Sequence, residues 1–233
     1  METRYERNLG PLTREDFARL RRKRVCVVGC GGLGGFCLEE LARLGVGTLT
    51  AVDGDRFQVS NMNRQIGCTE QTLGHLKAGA AAERVLSINP DIQVQVRNVF
   101  LEENNACALL AGHDLILDAL DRPGPRVLLE KKAGCLGIPL VHGAVDGWCG
   151  QITSVFPGDR VLEQLYGGTA GPDPQGGVVV MTVASVASLQ TNEAAQVLLG
   201  RPVLRGTLLR IDLNRLVFEK IRLFQSEFLG EST

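Results

Sequence analysis

The fold is decided by residues 25–34, VCVVGCGGLG, in which four apolar residues lead directly into a glycine-rich loop. The apolar run predicts a buried parallel strand, and the loop fits the G-x-G-x-x-G pattern that opens a helix after such a strand. Glycine lets backbone N–H groups and the helix N-terminus come close to phosphate oxygens. The loop therefore predicts a phosphate-binding turn whose contacts include Gly29, Gly31, Gly32 and Gly34.

A carboxylate follows the next predicted strand. Residues 35–44 are predicted as a helix and residues 48–52 as a second strand, which ends at Asp53. An acidic residue about 20 positions after the glycine loop is placed to accept hydrogen bonds from ribose hydroxyls. The unit therefore predicts nucleotide binding, and on this unit alone NAD is the usual ligand.

Charged residues further along the chain do not suit a dehydrogenase. Arg64 lies in the segment VSNMNRQ at 59–65, Lys77 lies at the start of a predicted helix, and Asp121 follows a later predicted strand. Cations offset the charge that builds on transferred phosphates, and a carboxylate can hold Mg²⁺. The combination predicts a triphosphate bound with a metal ion, that is, ATP with Mg²⁺.

With these motifs and others, the chain resembles the ubiquitin-activating-enzyme-like proteins of the MoeB/ThiF/HesA group, which adenylate the C-terminal glycine of sulfur carriers. The resemblance covers nearly the whole chain, from residue 4 to about residue 223. The shared motifs are RYER at 4–7, GCGGLG at 29–34, DGD at 53–55, SNMNRQ at 60–65, a lysine at 77, DALD at 118–121, GQI at 150–152 and SLQTNEA at 188–194.

The resemblance implies a role for each matching residue. Asp53 is expected to bind ribose, and Asp121 is expected to bind Mg²⁺ and to be required for adenylation. Phosphate contacts are expected from Asn61, Arg64 and Lys77. ATP and Mg²⁺ are thus the implied cofactors, and a small ubiquitin-like sulfur carrier ending in Gly-Gly is the implied partner.

The resemblance also implies a homodimer, in which Arg7 of one protomer reaches into the ATP site of its partner. An arginine clamp on phosphoryl charge is a known way to stabilise such a transfer. Two further residues of the shared motifs, Asp55 and Gln65, complete the expected cofactor-binding set. The implied catalytic set is Arg7, Arg64, Lys77 and Asp121.

The implied fold is α/β, a Rossmann-like doubly wound and mostly parallel sheet with a C-terminal antiparallel section. Predicted strands alternate with predicted helices, which independently favours a mostly parallel sheet covered on both faces. We expect an N-terminal helical arm at 1–24 and a single nucleotide-binding adenylation domain at 25–233. Residues 157–177 are rich in glycine and proline and are predicted as a mobile loop, which either covers a peptide tail or replaces a lost zinc lobe.

The sequence departs from the group where zinc and sulfur are handled. Typical members carry two C-x-x-C pairs, whereas the seven cysteines here form none, so we expect no zinc site. The loop 157–177 lacks the cysteine that some branches use, and Asp121-Arg122 replaces the usual Asp-Asn. Asp146-Gly147-Trp148-Cys149 stands where an arginine commonly precedes Gly-Gln-Ile. Adenylation residues are therefore present without sulfur-handling ones, and a reactive role for Cys68 or Cys149 stays open.

Composition narrows the setting of the protein. The net charge of −1 gives no basic field for nucleic acid or for an anionic membrane. No apolar run reaches the roughly 18 residues of a membrane span. The N-terminus is polar and shows no signal peptide. We therefore expect a cytoplasmic protein that binds neither a membrane nor nucleic acid.

Three other functions compete with carrier adenylation. A related dehydratase activates a carboxylate on a modified adenosine of tRNA (the threonylcarbamoyladenosine dehydratase), but the near-neutral charge disfavours tRNA binding. A non-catalytic partner that only binds nucleotide or carrier does not explain the intact Arg7, Arg64, Lys77 and Asp121. A dehydrogenase gives no reason for the two cations. The identity of the carrier or carboxylate, its pathway (molybdopterin, thiamine, another sulfur metabolite, a modified peptide or tRNA modification) and the source of sulfur stay open.

Overall fold

The computed structural model describes residues 3–167 and 176–223. The strands in this part of the chain form one sheet. They are β1 (Arg24–Val28), β2 (Thr48–Val52), β3 (Gln93–Arg97), β4 (Leu115–Asp118), β5 (Leu140–Asp146), β6 (Cys149–Val155), β7 (Thr207–Asp212) and β8 (Val217–Arg222). The α-helices are α1 (Arg14–Leu20), α2 (Gly32–Leu44), α3 (Lys77–Ile88), α4 (Ala106–Leu110), α5 (Pro123–Leu136), α6 (Val161–Tyr166) and α7 (Val180–Leu199), and 3₁₀ helices span Thr3–Asn8 and Val59–Asn61.

The sheet has the strand order β3-β2-β1-β4-β5-β6-β7-β8. Neighbouring strands from β3 to β5 pair in parallel, and those from β5 to β8 pair antiparallel. The predicted Rossmann-like sheet with an antiparallel C-terminal section is therefore confirmed. β1 lies between β2 and β4, so the chain changes direction across the sheet at this strand. Ligands of such folds bind beyond the carboxyl ends of the strands at that switch point.

The strand register lines up several chain segments at the carboxyl edge. Val28 of β1 pairs with Val52 of β2 on one side and with Asp118 of β4 on the other. Asp118 pairs in turn with His142 of β5. The glycine loop, Asp53 and the turn after β4 therefore all begin at the carboxyl edge of the sheet and border the same space beyond it.

Helices cover both faces of the sheet. Successive side chains of each strand point to opposite faces, so one strand contributes to two separate cores. Val25 and Val27 of β1 pack into a core formed with α2, α3 and α7. Cys26 and Val28 of the same strand pack into a second core formed with α4, α5 and α6. Among the described residues, no helix is both long enough and apolar enough to span a membrane.

The predicted loop 157–177 contains a helix, α6, at Val161–Tyr166. Its first turn is held by the buried carboxylate of Glu130 on α5, which accepts hydrogen bonds from the backbone N–H groups of Leu162 and Glu163, each at 2.8 Å. This capping group comes from a distant part of the chain, so the local sequence gives no sign of it. The predicted mobility of residues 168–175 concerns a segment outside the described residues.

The predicted N-terminal arm is helical and packs against the domain. Thr13 caps α1, with its side chain accepting from Asp16 N and its own N–H donating to Asp16 Oδ2. Tyr5 is buried, and its ring lies against Gly45 at the C-terminal end of α2. Asn89 donates a hydrogen bond to the Tyr5 hydroxyl at 2.5 Å. The arm is thus anchored at the end of α2 that is opposite to the glycine loop.

Candidate functional site

The glycine loop joins β1 to α2 with almost no space for side chains. Gly29 has φ +94°, and a Cβ atom there would lie 2.5 Å from the carbonyl oxygen of Ala119. A Cβ at Gly34 would lie 1.8 Å from the carbonyl oxygen of Gly29. Only glycine fits these two positions. The first N–H groups of α2, which have no partners inside the helix, are thereby brought to the carboxyl edge of the sheet.

Asp53 holds this loop in place. Its Oδ2 accepts a hydrogen bond from the backbone N–H of Cys30 at 2.7 Å, and its Oδ1 accepts from the N–H of Asp55 at 2.8 Å. The sequence predicts a ribose-binding role for Asp53 and gives no sign of this second role. Each carboxylate oxygen has a further lone pair, so Asp53 can still accept a hydrogen bond from a ribose hydroxyl while it holds the loop.

Lys77 places a buried ammonium group beside the same space. Its side chain is 8% exposed, and Nζ lies 2.8 Å from Oδ2 of Asp55, whose side chain is 51% exposed. The hydrogen bond from Lys77 holds the pKa of Asp55 below its usual value. An ammonium group has three donors, so Lys77 can bind Asp55 and a phosphate oxygen together.

Residues 58–65 form the opposite wall of the site. Asn61 accepts a hydrogen bond from the backbone N–H of Gln58 at 3.0 Å and so shapes the turn. Arg64 donates through Nη1 to the carbonyl of Ser60 at 3.0 Å. Gln65 is 6% exposed, and its amide nitrogen lies 3.2 Å from where a Cβ of Gly31 would be. Gln65 Oε1 has no hydrogen-bond partner among the described residues, so the glycine loop has an unsatisfied polar atom beside it.

Two carboxylates lie in different environments at the end of β4 and in the turn that follows it. Asp118 is fully buried, and its oxygens accept from Leu120 N at 3.1 Å and from His142 Nδ1 at 2.7 Å. Asp121 is exposed. Only Asp121 is therefore accessible to a ligand.

The site suits ATP with Mg²⁺. Groups of three or more histidine, cysteine, aspartate or glutamate residues that could hold a metal ion are absent from the described ranges. Mg²⁺ is usually held by one or two carboxylates together with water and phosphate oxygens. The exposed carboxylate of Asp121, in the turn next to the glycine loop, fits that donor set.

Arg7 lies away from these residues. It is exposed on the 3₁₀ helix of the arm, next to Asn8, which donates to the carbonyl of Arg43 near the end of α2. α2 has 13 residues and is about 20 Å long. Arg7 therefore does not meet the glycine loop of its own chain, and the other predicted site residues lie together without it.

A buried polar network below the turn was not predicted from the sequence. The Tyr166 hydroxyl lies 3.1 Å from His142 Nε2 and accepts hydrogen bonds from Arg126 Nη1 at 3.0 Å and from Gln151 Nε2 at 2.7 Å. Burial lowers the pKa of His142, although Asp118 opposes that shift. Asp118 and Gln151 belong to shared motifs, which were the available signals, whereas the contacts themselves depend on the β4–β5 register and on α6.

The cysteines near the site are buried, and burial raises the pKa of each thiol. Burial raises the pKa of Cys26 and of Cys37 to about 12, and it also raises the pKa of Cys30. Cys68 is 6% exposed, its Sγ lies 3.4 Å from the carbonyl of Gln58, and burial raises its pKa despite the nearby Lys77. These thiols therefore behave as small apolar side chains.

Known proteins resemble the chain along most of its length. It is 35% identical over 229 residues to the SAMP-activating enzyme E1 of Haloferax volcanii, covering 94% of this chain and 84% of the relative. It is 37% identical over 217 residues to a sulfur carrier protein adenylyltransferase of Thermus thermophilus, covering 87% of this chain and 79% of the relative.

A solved structure has the same fold. The crystal structure of Escherichia coli MccB with ATP matches with a TM-score of 0.82 at 17% identity, covering 99% of this chain and 74% of MccB. The model of the ThiF family matches residues 5–228. The resemblance read from the motifs is thus confirmed by the family model and by both relatives, and the chain belongs to the ThiF family.

Proposed function

We propose that this chain is an ATP-dependent adenylyltransferase that activates the C-terminal glycine of a small ubiquitin-like sulfur carrier and releases pyrophosphate. The observation that carries the proposal is the meeting of the glycine loop, the buried ammonium of Lys77 and the exposed carboxylate of Asp121 at the switch point of the sheet. The relatives described above are named as activating enzymes or adenylyltransferases, and one of them is named for a sulfur carrier.

The proposed reaction needs positioning and charge stabilisation more than it needs a protein nucleophile. A carboxylate oxygen of the carrier attacks the α-phosphorus of ATP, and the bond to the bridging oxygen breaks, so that pyrophosphate leaves with the electron pair. Lys77 and Arg64 offset the charge on the phosphates, while the N–H groups at the start of α2 bind phosphate oxygens. Bound at Asp121, Mg²⁺ would neutralise further phosphate charge.

We also propose a homodimer in which each site is completed by Arg7 of the partner chain. The support is geometric, because Arg7 is exposed at the end of α2 that is remote from its own glycine loop. A guanidinium can bind phosphate oxygens with two parallel hydrogen bonds. A second copy of the chain would supply such a group to each site in addition to Arg64.

We propose further that the reaction stops at the acyl-adenylate. A thioester would need an activated thiolate beside the adenylate. Cys68 lies between Arg64 and Lys77 in the sequence, and burial raises the pKa of its thiol, as it does for Cys30 in the glycine loop. The last 84 residues of the chain, from Gly150 onward, contain no cysteine. Sulfur would therefore be added to the carrier by another protein.

The experiment is carrier-dependent ATP–pyrophosphate exchange. Small ubiquitin-like proteins ending in Gly-Gly are tested, each against a version that lacks the final glycine. We expect exchange only with an intact tail, and Asp121→Ala is expected to abolish it because the metal ligand is lost. Exchange that depends on tRNA and not on any carrier would contradict the proposal, as would binding of NAD with no binding of ATP.

A further inference from the structure

The turn that carries Asp121 is held from two sides by buried polar groups. Leu120 N donates to Asp118 Oδ1 at 3.1 Å, and the carbonyl of Leu120 accepts from Arg126 Nε, also at 3.1 Å. Both backbone groups of the residue before Asp121 are thus fixed. The position of the exposed Asp121 carboxylate therefore depends on where the side chains of Asp118 and Arg126 are held.

Those two side chains are themselves held by His142 and Tyr166. His142 is fully buried, and its Nδ1 lies 2.7 Å from Asp118 Oδ2. Since a carboxylate can only accept, Nδ1 donates, and in the neutral ring Nε2 is then an acceptor. The Tyr166 hydroxyl, 3.1 Å away, can donate to Nε2 while its oxygen accepts from Arg126 Nη1 at 3.0 Å. The hydrogen bonds thus form one continuous chain from Arg126 through Tyr166 and His142 to Asp118, and the two end residues lie 3.8 Å apart at Arg126 Nε and Asp118 Oδ2.

The same chain of hydrogen bonds reaches α6. Tyr166 is the last residue of α6, whose first turn is bound by Glu130. Arg126 and Glu130 lie four residues apart on α5, so they are on the same face of that helix. α6 is therefore attached at both ends to α5, and its last residue contacts the groups that hold the turn.

We propose that His142 and Tyr166 are positioning residues for adenylation: they hold Asp118 and Arg126 on the backbone of Leu120, and so place the Asp121 carboxylate where Mg²⁺ and the triphosphate are bound. This inference rests on the proposed function. On this proposal His142 and Tyr166 act through the turn and not by contact with the nucleotide, so their effect is on metal-dependent binding of ATP. Groups that orient a metal ligand typically change metal affinity by 10-fold to 100-fold when they are removed.

Tyr166→Phe tests the inference, because it removes one hydroxyl and leaves the ring in place. The readout is the ATP dissociation constant measured by calorimetry, with Mg²⁺ and with excess EDTA. We expect about a tenfold weaker binding with Mg²⁺ and no change with EDTA. His142→Asn keeps a donor for Asp118 and is expected to lose less Mg²⁺-dependent affinity than His142→Leu.

Thr50→Val is the matched control, because it breaks a similar hydrogen bond elsewhere. Thr50 Oγ1 lies 2.7 Å from Nε2 of the buried His113, whose Nδ1 lies 2.9 Å from the carbonyl of Leu110. The variant is expected to lose thermal stability, as Tyr166→Phe does, and to keep the full effect of Mg²⁺ on ATP binding.

The outcomes separate this inference from the proposed function. If Tyr166→Phe and His142→Leu fold, bind ATP and keep the wild-type Mg²⁺ effect, the positioning role is refuted and the adenylation proposal stands. If the wild-type protein binds ATP equally with Mg²⁺ and with EDTA, or if Asp121→Asn keeps the Mg²⁺ effect, the metal site and the positioning role both fail. If Tyr166→Phe does not fold, the comparison of His142→Asn with His142→Leu decides the question by the same measurement.

Discussion

Replacement of Lys77 by methionine tests the phosphate site most directly, because methionine keeps an unbranched apolar side chain and removes the charge. The Lys77 side chain is 8% exposed and bonds to Asp55, whose side chain is 51% exposed. Water can therefore solvate the carboxylate that the substitution leaves behind, and the loss of folding stability is expected to be about 1 kcal/mol or less. The main effect should fall on ATP.

The magnitude follows from the charge and its burial. Two unit charges about 4 Å apart interact by about 4 kcal/mol at an effective dielectric constant of about 20. That dielectric constant is appropriate because Lys77, although largely buried, lies near the protein surface beside the exposed carboxylate of Asp55. If this interaction is made with the phosphates in the transition state, its loss lowers kcat/KM for ATP by about a thousandfold.

The assay is carrier-dependent ATP–pyrophosphate exchange at varied ATP concentration. Lys23→Met is the matched control, since Lys23 also forms an ion pair, with Nζ 3.0 Å from Asp114 Oδ1, but at the opposite edge of the sheet. The control is expected to stay within about twofold of wild type. A loss of less than about tenfold in Lys77→Met, or an equal loss in Lys23→Met, would refute a phosphate-binding role for Lys77.

Four further predictions concern assembly, thiols, metal and pH. Arg7→Ala and Lys77→Met are each expected to be inactive, but an equal mixture of the two variants should recover about a quarter of wild-type activity. Half of the dimers are then mixed, and each mixed dimer has one intact site of two. A monomer by light scattering, or no recovery after subunit exchange, would count against the dimer. Cys68→Ser should leave exchange unchanged, and no carrier adduct sensitive to reducing agent should appear on a gel, whereas an adduct that Cys68→Ser removes would show that the reaction goes beyond the adenylate. Elemental analysis is expected to find no zinc, and one zinc per chain would contradict the expectation from the sequence. Burial lowers the pKa of both His142 and His113 from the ordinary value of 6.5, so the unfolded state binds more protons and the free energy of unfolding should fall as pH decreases below about 6.5. His142→Asn should flatten part of that pH dependence, measured by urea titration at several pH values. An unchanged slope would show that His142 does not contribute.

The parts of this protein that the sequence predicts are those with local causes. The glycine loop is recognisable because Gly29 and Gly34 lie where any Cβ would clash with nearby backbone. The central strands β1 and β4 are recognisable as short apolar runs, and β3, β7 and β8 are recognisable by their alternating pattern. The α/β order then restricts the topology. The doubly wound fold and the family are confirmed, while the roles of the individual site residues stay predictions.

The parts that the sequence does not predict depend on contacts between distant segments. α6 is stabilised by Glu130, 32 residues before Leu162, so a glycine- and proline-rich context hides it. His142 meets Asp118 only because β4 and β5 pair in that register. The second role of Asp53, as the residue that holds the glycine loop, likewise requires β1 and β2 to be neighbours.

The alignment of site residues along one edge of the sheet has a consequence for how the chain can evolve. Apart from Arg7, the proposed ATP-binding residues follow the carboxyl ends of strands or flank that edge. Apart from Arg7, which lies near the far end of α2, the contacts at the opposite edge are outside the proposed site, such as the Lys23–Asp114 ion pair and the hydrogen bond between His113 and Leu110. Mutations that adjust stability can therefore accumulate at that edge without altering the chemistry. Folding stability and adenylation can thus be adjusted at separate positions of the chain.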